Sequence, residues 1–347
     1  MNEDRLTLQK AYLADKLKGS TILISGTTGL IGSRIVYYLA DLNDSLNAEI
    51  KIIALYRNEE KKNTVYADAV QRSDIEFVLY RMEDGLALDI QSDYIIHCAG
   101  ISGGTKMHLK NPELVFETAY NGTKELLDYA VRSAAKHFVY VSSYEIYGSI
   151  SSDIPIKEND KCALDTLSLR NIYAEAKRFC ESLCTAFSSK YDIKISIGRL
   201  TSTFGNGVDY NDPRFFAEFA RCIIEERDIV LKSTGGTVRN YLDSDDSAAA
   251  FLYILVNGEN CIAYNLTNMD NKISIKSIAE KIIEVNRSDI KLKFDIAEDI
   301  TKLGFRKEGC TLVDADRLYK LGWGPVYNIE DTLIKLVDYM RNHKNNK

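Results

Sequence analysis

The stretch Ser25-Gly26-Thr27-Thr28-Gly29-Leu30-Ile31-Gly32 decides the fold of this chain. An apolar run, Thr21-Ile22-Leu23-Ile24, leads into it, and Ile35, Val36, Leu39 and Ala40 follow at helical spacing. The pattern is strand, glycine turn, helix. Glycines at these positions remove side chains where backbone must approach a pyrophosphate and where a helix must sit on a strand. The first amides of such a helix are unpaired donors at the positive end of its dipole, so an anion is favoured there. A tight turn that binds nothing is the alternative reading of the same residues.

Working outward, Ile50–Leu55 is a second apolar run, followed by Tyr56-Arg57-Asn58. A dinucleotide fold places an acidic residue near this point for the ribose hydroxyls, yet none occurs before Glu59. Arg57 suits a 2′-phosphate equally with a solvated surface, so NAD and NADP are both open. Ile75–Tyr80, Tyr94–Cys98, His137–Val141 and Ile193–Ile197 read as further strands. Asn111–Ser133 and Tyr173–Lys190 read as long helices. Strands alternating with helices at this spacing predict an α/β protein, a Rossmann-type doubly wound parallel sheet. Ala99 and Gly100, just past the fourth strand, are small enough to let backbone pass near a cofactor. His97 reads as a satisfied core residue.

After Arg199 the rhythm changes. A loop at Gly205-Asn206-Gly207 precedes a helix over 213–226, and Gly235-Gly236 leads to Asp245-Asp246 and a helix through Leu255. A strand over 261–266, a helix over Ile275–Val285 and a terminal helix over Ile329–Arg341 complete the chain. The expected organisation is an N-terminal helix (1–18), a dinucleotide-binding domain (19–204 plus 239–267), a smaller interleaved substrate-binding α/β lobe (205–238 plus 268–341) and a tail (342–347). No repeat, low-complexity tract or proline-rich linker separates the lobes.

The composition bounds the function. A net charge of −6 over 347 residues argues against a general nucleic-acid surface while leaving room for a local basic pocket. No run approaches ~18 apolar residues, so no membrane span is expected, and the first residues lack the pattern of a signal peptide. Seven cysteines (98, 162, 180, 184, 222, 261, 310) read as reduced, mostly buried thiols of a cytoplasmic protein. The four histidines (97, 108, 137, 343) lack metal-ligand spacing, and no metal is expected.

The chemistry concentrates in two segments. Strand five leads into Val141-Ser142-Ser143-Tyr144-Glu145-Ile146-Tyr147-Gly148. If the chain stays extended, Ser143 and Glu145 share a face. Further on, Tyr173-Ala174-Glu175-Ala176-Lys177 places Lys177 one helical turn beyond Tyr173. A nearby ammonium stabilises a phenolate and lowers a Tyr pKa from its usual ~10. Tyr173 then accepts a proton from a substrate hydroxyl as hydride leaves the same carbon. The same spacing occurs at Tyr12–Lys16 and Tyr120–Lys124, but only Tyr173 opens the helix after the Ser-bearing strand end.

From residue 19 onward the chain resembles an extended short-chain dehydrogenase/reductase of the nucleotide-sugar epimerase/dehydratase family. The resemblance rests on Gly26, Gly29 and Gly32, on Ser143 with Tyr147-Gly148, and on Tyr173 with Lys177. It continues through Arg199–Gly205 and Gly236 to Arg239-Asn240-Tyr241 and Asp245-Asp246. It implies a nicotinamide cofactor bound by Gly26, Thr28, Gly29, Leu30, Ile31, Gly32, Arg57, Ala99, Tyr173 and Lys177. It also implies oxidation at C4 of a nucleotide-linked sugar, with Ser143 on the C4 oxygen, Tyr173 as base, and Lys177 on the nicotinamide ribose. Glu145 matches a position that is Glu in 4,6-dehydratases and UDP-glucuronate decarboxylases; beside a 4-ketone, which acidifies C5–H, such a carboxylate can remove that proton. Arg214 and Arg239 are candidates for the substrate diphosphate. Asn211–Phe216 and Leu169–Tyr173 resemble the decarboxylase branch, but Cys310 stands where that branch carries an Arg, with Arg306 near and out of register. Tyr144 stands where thymidine-sugar dehydratases carry Asp, and Ser202 where relatives often carry Asn. The expected reaction is of the 4,6-dehydratase type in surface polysaccharide synthesis. A 4-epimerase, a decarboxylase and a dinucleotide-binding sensor are the alternatives. Helices 111–133 and 173–190 resemble a pair that forms a four-helix homodimer contact.

Overall fold

Short apolar runs bounded by glycine and polar turns become strands, and longer amphipathic runs become helices. The computed structural model describes residues 2–82, 85–86, 88–100, 110–148, 152–161, 163–297 and 308–344. His108, Cys162, Arg306 and residues 345–347 of the tail lie outside the described residues.

In chain order the strands are β1 (Thr21–Ser25), β2 (Lys51–Tyr56), β3 (Ile75–Leu79), β4 (Tyr94–His97), β5 (His137–Ser143), β6 (Ser152–Ile156) and β7 (Ile195–Leu200). They continue as β8 (Ser202–Phe204), β9 (Ile229–Leu231), β10 (Val238–Asp243), β11 (Ile262–Leu266), β12 (Lys272–Ser274), β13 (Leu292–Phe294) and β14 (Cys310–Val313). The helices are α1 (Asn2–Leu17), α2 (Leu30–Leu46), α3 (Glu59–Val65), α4 (Pro112–Arg132) and α5 (Ile172–Tyr191). After these come α6 (Phe215–Ile224), α7 (Ser244–Asn257), α8 (Ile275–Val285), α9 (Asp316–Tyr319) and α10 (Ile329–Asn342).

Seven strands form one sheet in the order β11-β7-β5-β4-β1-β2-β3, and every pairing in it is parallel. Helices cover both faces, so central strands are near-continuously apolar; every residue of β5 is buried. On one face α1, α2 and α7 pack around Leu13, Leu17, Val36, Leu39 and Phe251. On the other, α4 and α5 enclose Leu126, Leu127, Cys180 and Cys184. The helix expected over 1–18 is therefore a packing element: Leu13 and Leu17 are fully buried. Strand order reverses between β1 and β4. That crevice is the switch point where ligands bind such sheets.

A second sheet, ordered β12-β10-β14-β6 with β8 beside β10, and a β9–β13 pair build the smaller lobe. Its core is Phe216, Phe219, Ile278, Ile282, Leu333, Leu336, Val337 and Met340, from α6, α8 and α10. The boundary expected at 239 cuts through β10, which belongs to this second sheet, as do β6 and β8 from within 19–204. Strands of three to six residues, some with no alternation, give no sequence signal that outweighs loop composition. Chain crossings interleave the lobes, since β10 runs directly into α7, which packs on α2.

An ion-pair cluster joins the lobes. Arg34 of α2 donates to Asp245 at 2.6 Å. Lys335 of α10 contacts Asp243 and Asp245, both at 2.8 Å. Among the described residues no helix is long and apolar enough to cross a membrane.

Candidate active site

The glycine turn sits at the carboxyl end of β1. Gly26 has φ of +67°, and a Cβ there would stand 2.7 Å from the Ala99 backbone nitrogen. Only glycine fits where the ends of β1 and β4 close on each other. A Cβ on Gly32 would collide with the Gly26 carbonyl, so the start of α2 lies directly on the turn. Thr27 locks the loop: its hydroxyl donates to Leu55 O (2.8 Å), and its carbonyl accepts from the Tyr66 hydroxyl (2.7 Å). No side chain caps α2, and no acidic residue lies in its first turn. Thr28, Leu30 and Ile31 border this uncapped, positive helix end, which fits the pyrophosphate of a dinucleotide. Arg57 is exposed at the end of β2, the strand beside β1.

His97, on β4, serves the scaffold. Its Nδ1 lies 2.7 Å from Ser25 Oγ and its Nε2 lies 3.1 Å from Thr123 Oγ1. Burial first, then Lys177, push its pKa down to about 3. The Ser25 hydroxyl also accepts from the Ala99 amide at 3.2 Å, which ties β4 to the glycine turn.

Ser143 is the last residue of β5. The chain does not remain extended after it, as the alternation reading required. It turns into a 3-10 turn, Tyr144–Tyr147, and Ser143 Oγ caps that turn by accepting from the Glu145 amide at 3.2 Å. Ser143 and Glu145 are neighbours because of this turn, beneath which Tyr144, Ile146 and Tyr147 pack on Ile156 and Val313.

The structure brings Tyr173 and Lys177 of α5 to the same end of β5. Tyr173 lies beside Ser143, whose hydroxyl favours the ionised form of the phenol. Lys177 is buried and donates to Val141 O at 2.7 Å. Its ammonium stands 4.8 Å from the Tyr140 ring centre and 5.9 Å from that of Tyr173. Ala99, Gly100, Tyr140, Tyr173, Ala176 and Lys177 line a pocket beside the glycine turn. The expected lowering of the Tyr173 pKa by Lys177 is absent here. Burial, then the Glu145 charge, push it up to about 12, against the Ser143 hydrogen bond and the Arg214 charge. Burial also lowers the pKa of Lys177 itself. The other two Tyr-x-x-x-Lys pairs lie elsewhere: Tyr12 bonds Asn257, and Lys124 pairs with Asp128 at 2.6 Å on exposed helix surface.

The arginines divide by role. Arg199 is structural, held by Glu181 at 2.7 Å and donating to Tyr147 and the Glu158 carbonyl. Arg214 is committed to Asp212 (2.6 Å) and lies over the Phe216 ring, although its charge reaches Tyr173. Arg239, on β10, faces Tyr144 and Glu145, which hold its pKa up, with Tyr144 the larger influence. Arg170, in the turn Leu169–Asn171 ahead of α5, pairs with Glu145 at 3.7 Å. Sequence reading assigned Arg170 no role. Its position three residues before Tyr173 is the signal that points to it, because such neighbours share a helical face. Among the described residues no group of three His, Cys, Asp or Glu is arranged to hold a metal ion.

The fold and the crevice define a doubly wound, dinucleotide-binding α/β protein. The chain belongs to the NAD dependent epimerase/dehydratase family, whose profile matches residues 22–267; it is a family of enzymes acting on nucleotide sugars. The chain is 26% identical over 92% of its length to low-salt glycan biosynthesis protein Agl12 of Haloferax volcanii, covering 97% of that protein. It is 24% identical over 92% of its length to UDP-glucuronic acid decarboxylase 1 of Arabidopsis thaliana, covering 70% of it. The structure of UDP-N-acetylglucosamine 4-epimerase from Methanobrevibacter ruminantium M1 superposes with a TM-score of 0.79 at 20% identity, over 94% of this chain and 99% of that one. The last two of these names denote different reactions, a decarboxylation and a 4-epimerisation.

Proposed function

We propose that this protein acts in the cytoplasm on a nucleotide-activated sugar for surface polysaccharide, by C4 oxidation followed by removal of the C5 proton and loss of water from C6. The observation that carries this reading is a carboxylate, Glu145, on the turn capped by Ser143 and close enough to Tyr173 to raise its pKa. A plain proton shuttle at C4 needs no carboxylate there.

A nicotinamide dinucleotide held at Gly26, Thr28, Gly29, Leu30, Ile31, Gly32 and Ala99 supplies hydride acceptance and return. Arg57 leaves NAD and NADP open, and Lys177 is assigned to the ribose. Ser143 holds the C4 oxygen, and Tyr173 takes the proton of the C4 hydroxyl. A ketone at C4 acidifies C5–H. Glu145 takes that proton and passes it to the C6 oxygen as the C5 electrons expel it, so that water leaves; the resulting C5–C6 double bond is then saturated by the returned hydride at C6 and a proton from solvent at C5. Arg239 suits the diphosphate better than Arg214, which Asp212 already engages.

A panel of UDP- and dTDP-linked hexoses tests the reading. A 4-keto-6-deoxy product, with solvent deuterium entering at C5, is expected; Glu145→Gln should lose it, and Tyr173→Phe should lose all turnover. Normal product from Glu145→Gln would make that residue a bystander. One observation favours a second reading, 4-epimerisation. The residue before Glu145 is Tyr144, its hydroxyl 3.3 Å from Ser202 Oγ, so that position supplies no carboxylic acid to protonate a leaving group. A C4 epimer as sole product would select that reading.

The partner is a second copy of the chain, across α4 and α5, where Phe116, Tyr120 and Phe179 are exposed. Sedimentation at micromolar concentration checks this, and a monomer would refute it.

A further inference from the structure

Arg170 is outside the set of residues that the reaction above uses. It sits in the short turn Leu169–Asn171, whose end leads directly into α5 and Tyr173. Its Nη1 is 3.7 Å from Glu145 Oε2, with both side chains mostly buried. This pair joins the turn that carries one proton acceptor to the helix that carries the other. The geometry points to Arg170 as a positioning residue: it holds the Glu145 carboxylate ionised and in place, and shields Tyr173 from its charge.

The argument is electrostatic. Two groups that must both lose a proton lie side by side, and each negative charge disfavours the other. In partly buried surroundings that penalty is not screened away. A fixed guanidinium beside the carboxylate offsets it. Among the described residues, the groups facing Glu145 include Arg170 from the turn ahead of α5, Tyr173 from α5, Arg239 from β10, and Tyr144 on its own turn. Arg214 acts on Tyr173 from ahead of α6. Arg239 is assigned to substrate phosphate, and Arg214 is engaged by Asp212. Among the described residues, Arg170 is thus the cation with an ion pair to Glu145 itself. Arg also suits the task chemically, since it stays charged across the whole pH range of interest. A fixed positive charge beside a carboxylate lowers its pKa by ~1–3 units.

The test uses the full chain with its cofactor and measures the pH dependence of turnover and a direct titration. In the wild type with 13Cδ-labelled glutamate, the Glu145 carboxyl resonance is identified by its loss in Glu145→Gln. Arg170→Met should move its midpoint up by ~1 unit or more, shift the acidic limb of the turnover profile in the same direction, and cut turnover at neutral pH at least several-fold. Arg170→Lys should restore most of both. An unchanged Glu145 midpoint in Arg170→Met, or no rescue by Lys, overturns the inference. This inference rests on Glu145 being the C5 base, and the two fail differently. Normal product from Glu145→Gln removes the base, whereas an unmoved titration in Arg170→Met beside an inactive Glu145→Gln removes only the role of Arg170.

Discussion

At the residue scale, burial decides which ionisable groups serve chemistry and which serve the scaffold. Burial first, and then the charge of Glu145, push Tyr173 up to about 12. His97 and His137 show the opposite use of burial. Both rings are hydrogen-bonded within the fold, His137 to Leu255 O at 2.7 Å and to Ser196 at 2.8 Å. Their pKa values are pushed down to about 3 and about 4, chiefly by desolvation. An unfolded His titrates near ~6.5. Between ~6.5 and these folded values the unfolded chain binds protons that the native one does not. Stability is then fully present above ~6.5 and is lost as pH falls, by at most ~1.4 kcal/mol per pH unit for each His. Urea midpoints at pH 7.5 and 5.5 check this: the midpoint should drop at the lower pH, and a flat response would contradict neutral buried imidazoles.

At the scale of elements, the glycine turn and the Ser143 turn aim the backbone. Gly26→Ala adds a methyl against Ala99 at a backbone angle alanine rarely adopts. The expected outcome is a fall in melting temperature together with loss of retained dinucleotide, read by absorbance after gel filtration. Retained cofactor at native stability would show that the turn has slack. These elements differ in how much the sequence reveals. The strand–glycine–helix unit is legible because one steric demand fixes three residue identities at fixed spacing. The turn after β5 is not: Tyr144 and Ile146 suit a strand by propensity. Packing of Tyr147 and Ile146 on Ile156 and Val313, from distant segments, bends the chain. The pairing of Arg170 with Glu145 is likewise not legible in the sequence, because the two lie on different elements.

At the scale of the whole molecule, the crevice has walls because two lobes are clamped. Lys335 of the terminal helix pairs with Asp243 and Asp245, and Arg34 of the helix that starts at the glycine turn shares Asp245. Asp243 is fully buried. Lys335→Met would leave these carboxylates partly uncompensated, a loss that costs ~3–5 kcal/mol for a buried pair. Denaturant unfolding should register that loss, and substrate KM should rise as the lobes loosen. Unchanged stability would mean that Arg34 alone balances the cluster.

Hydrophobic periodicity and glycine spacing by themselves determined the strands and helices of the α/β sheet, the glycine turn and the placing of Tyr173 and Lys177 one helical turn apart, because each leaves its pattern within a short window of sequence. The tertiary structure alone decided the second sheet and its claim on β10, the pairing of Arg170 with Glu145, and the charge balance around Tyr173. Those depend on segments far apart in the chain, whose proximity sets the burial and the fields that local pattern does not encode.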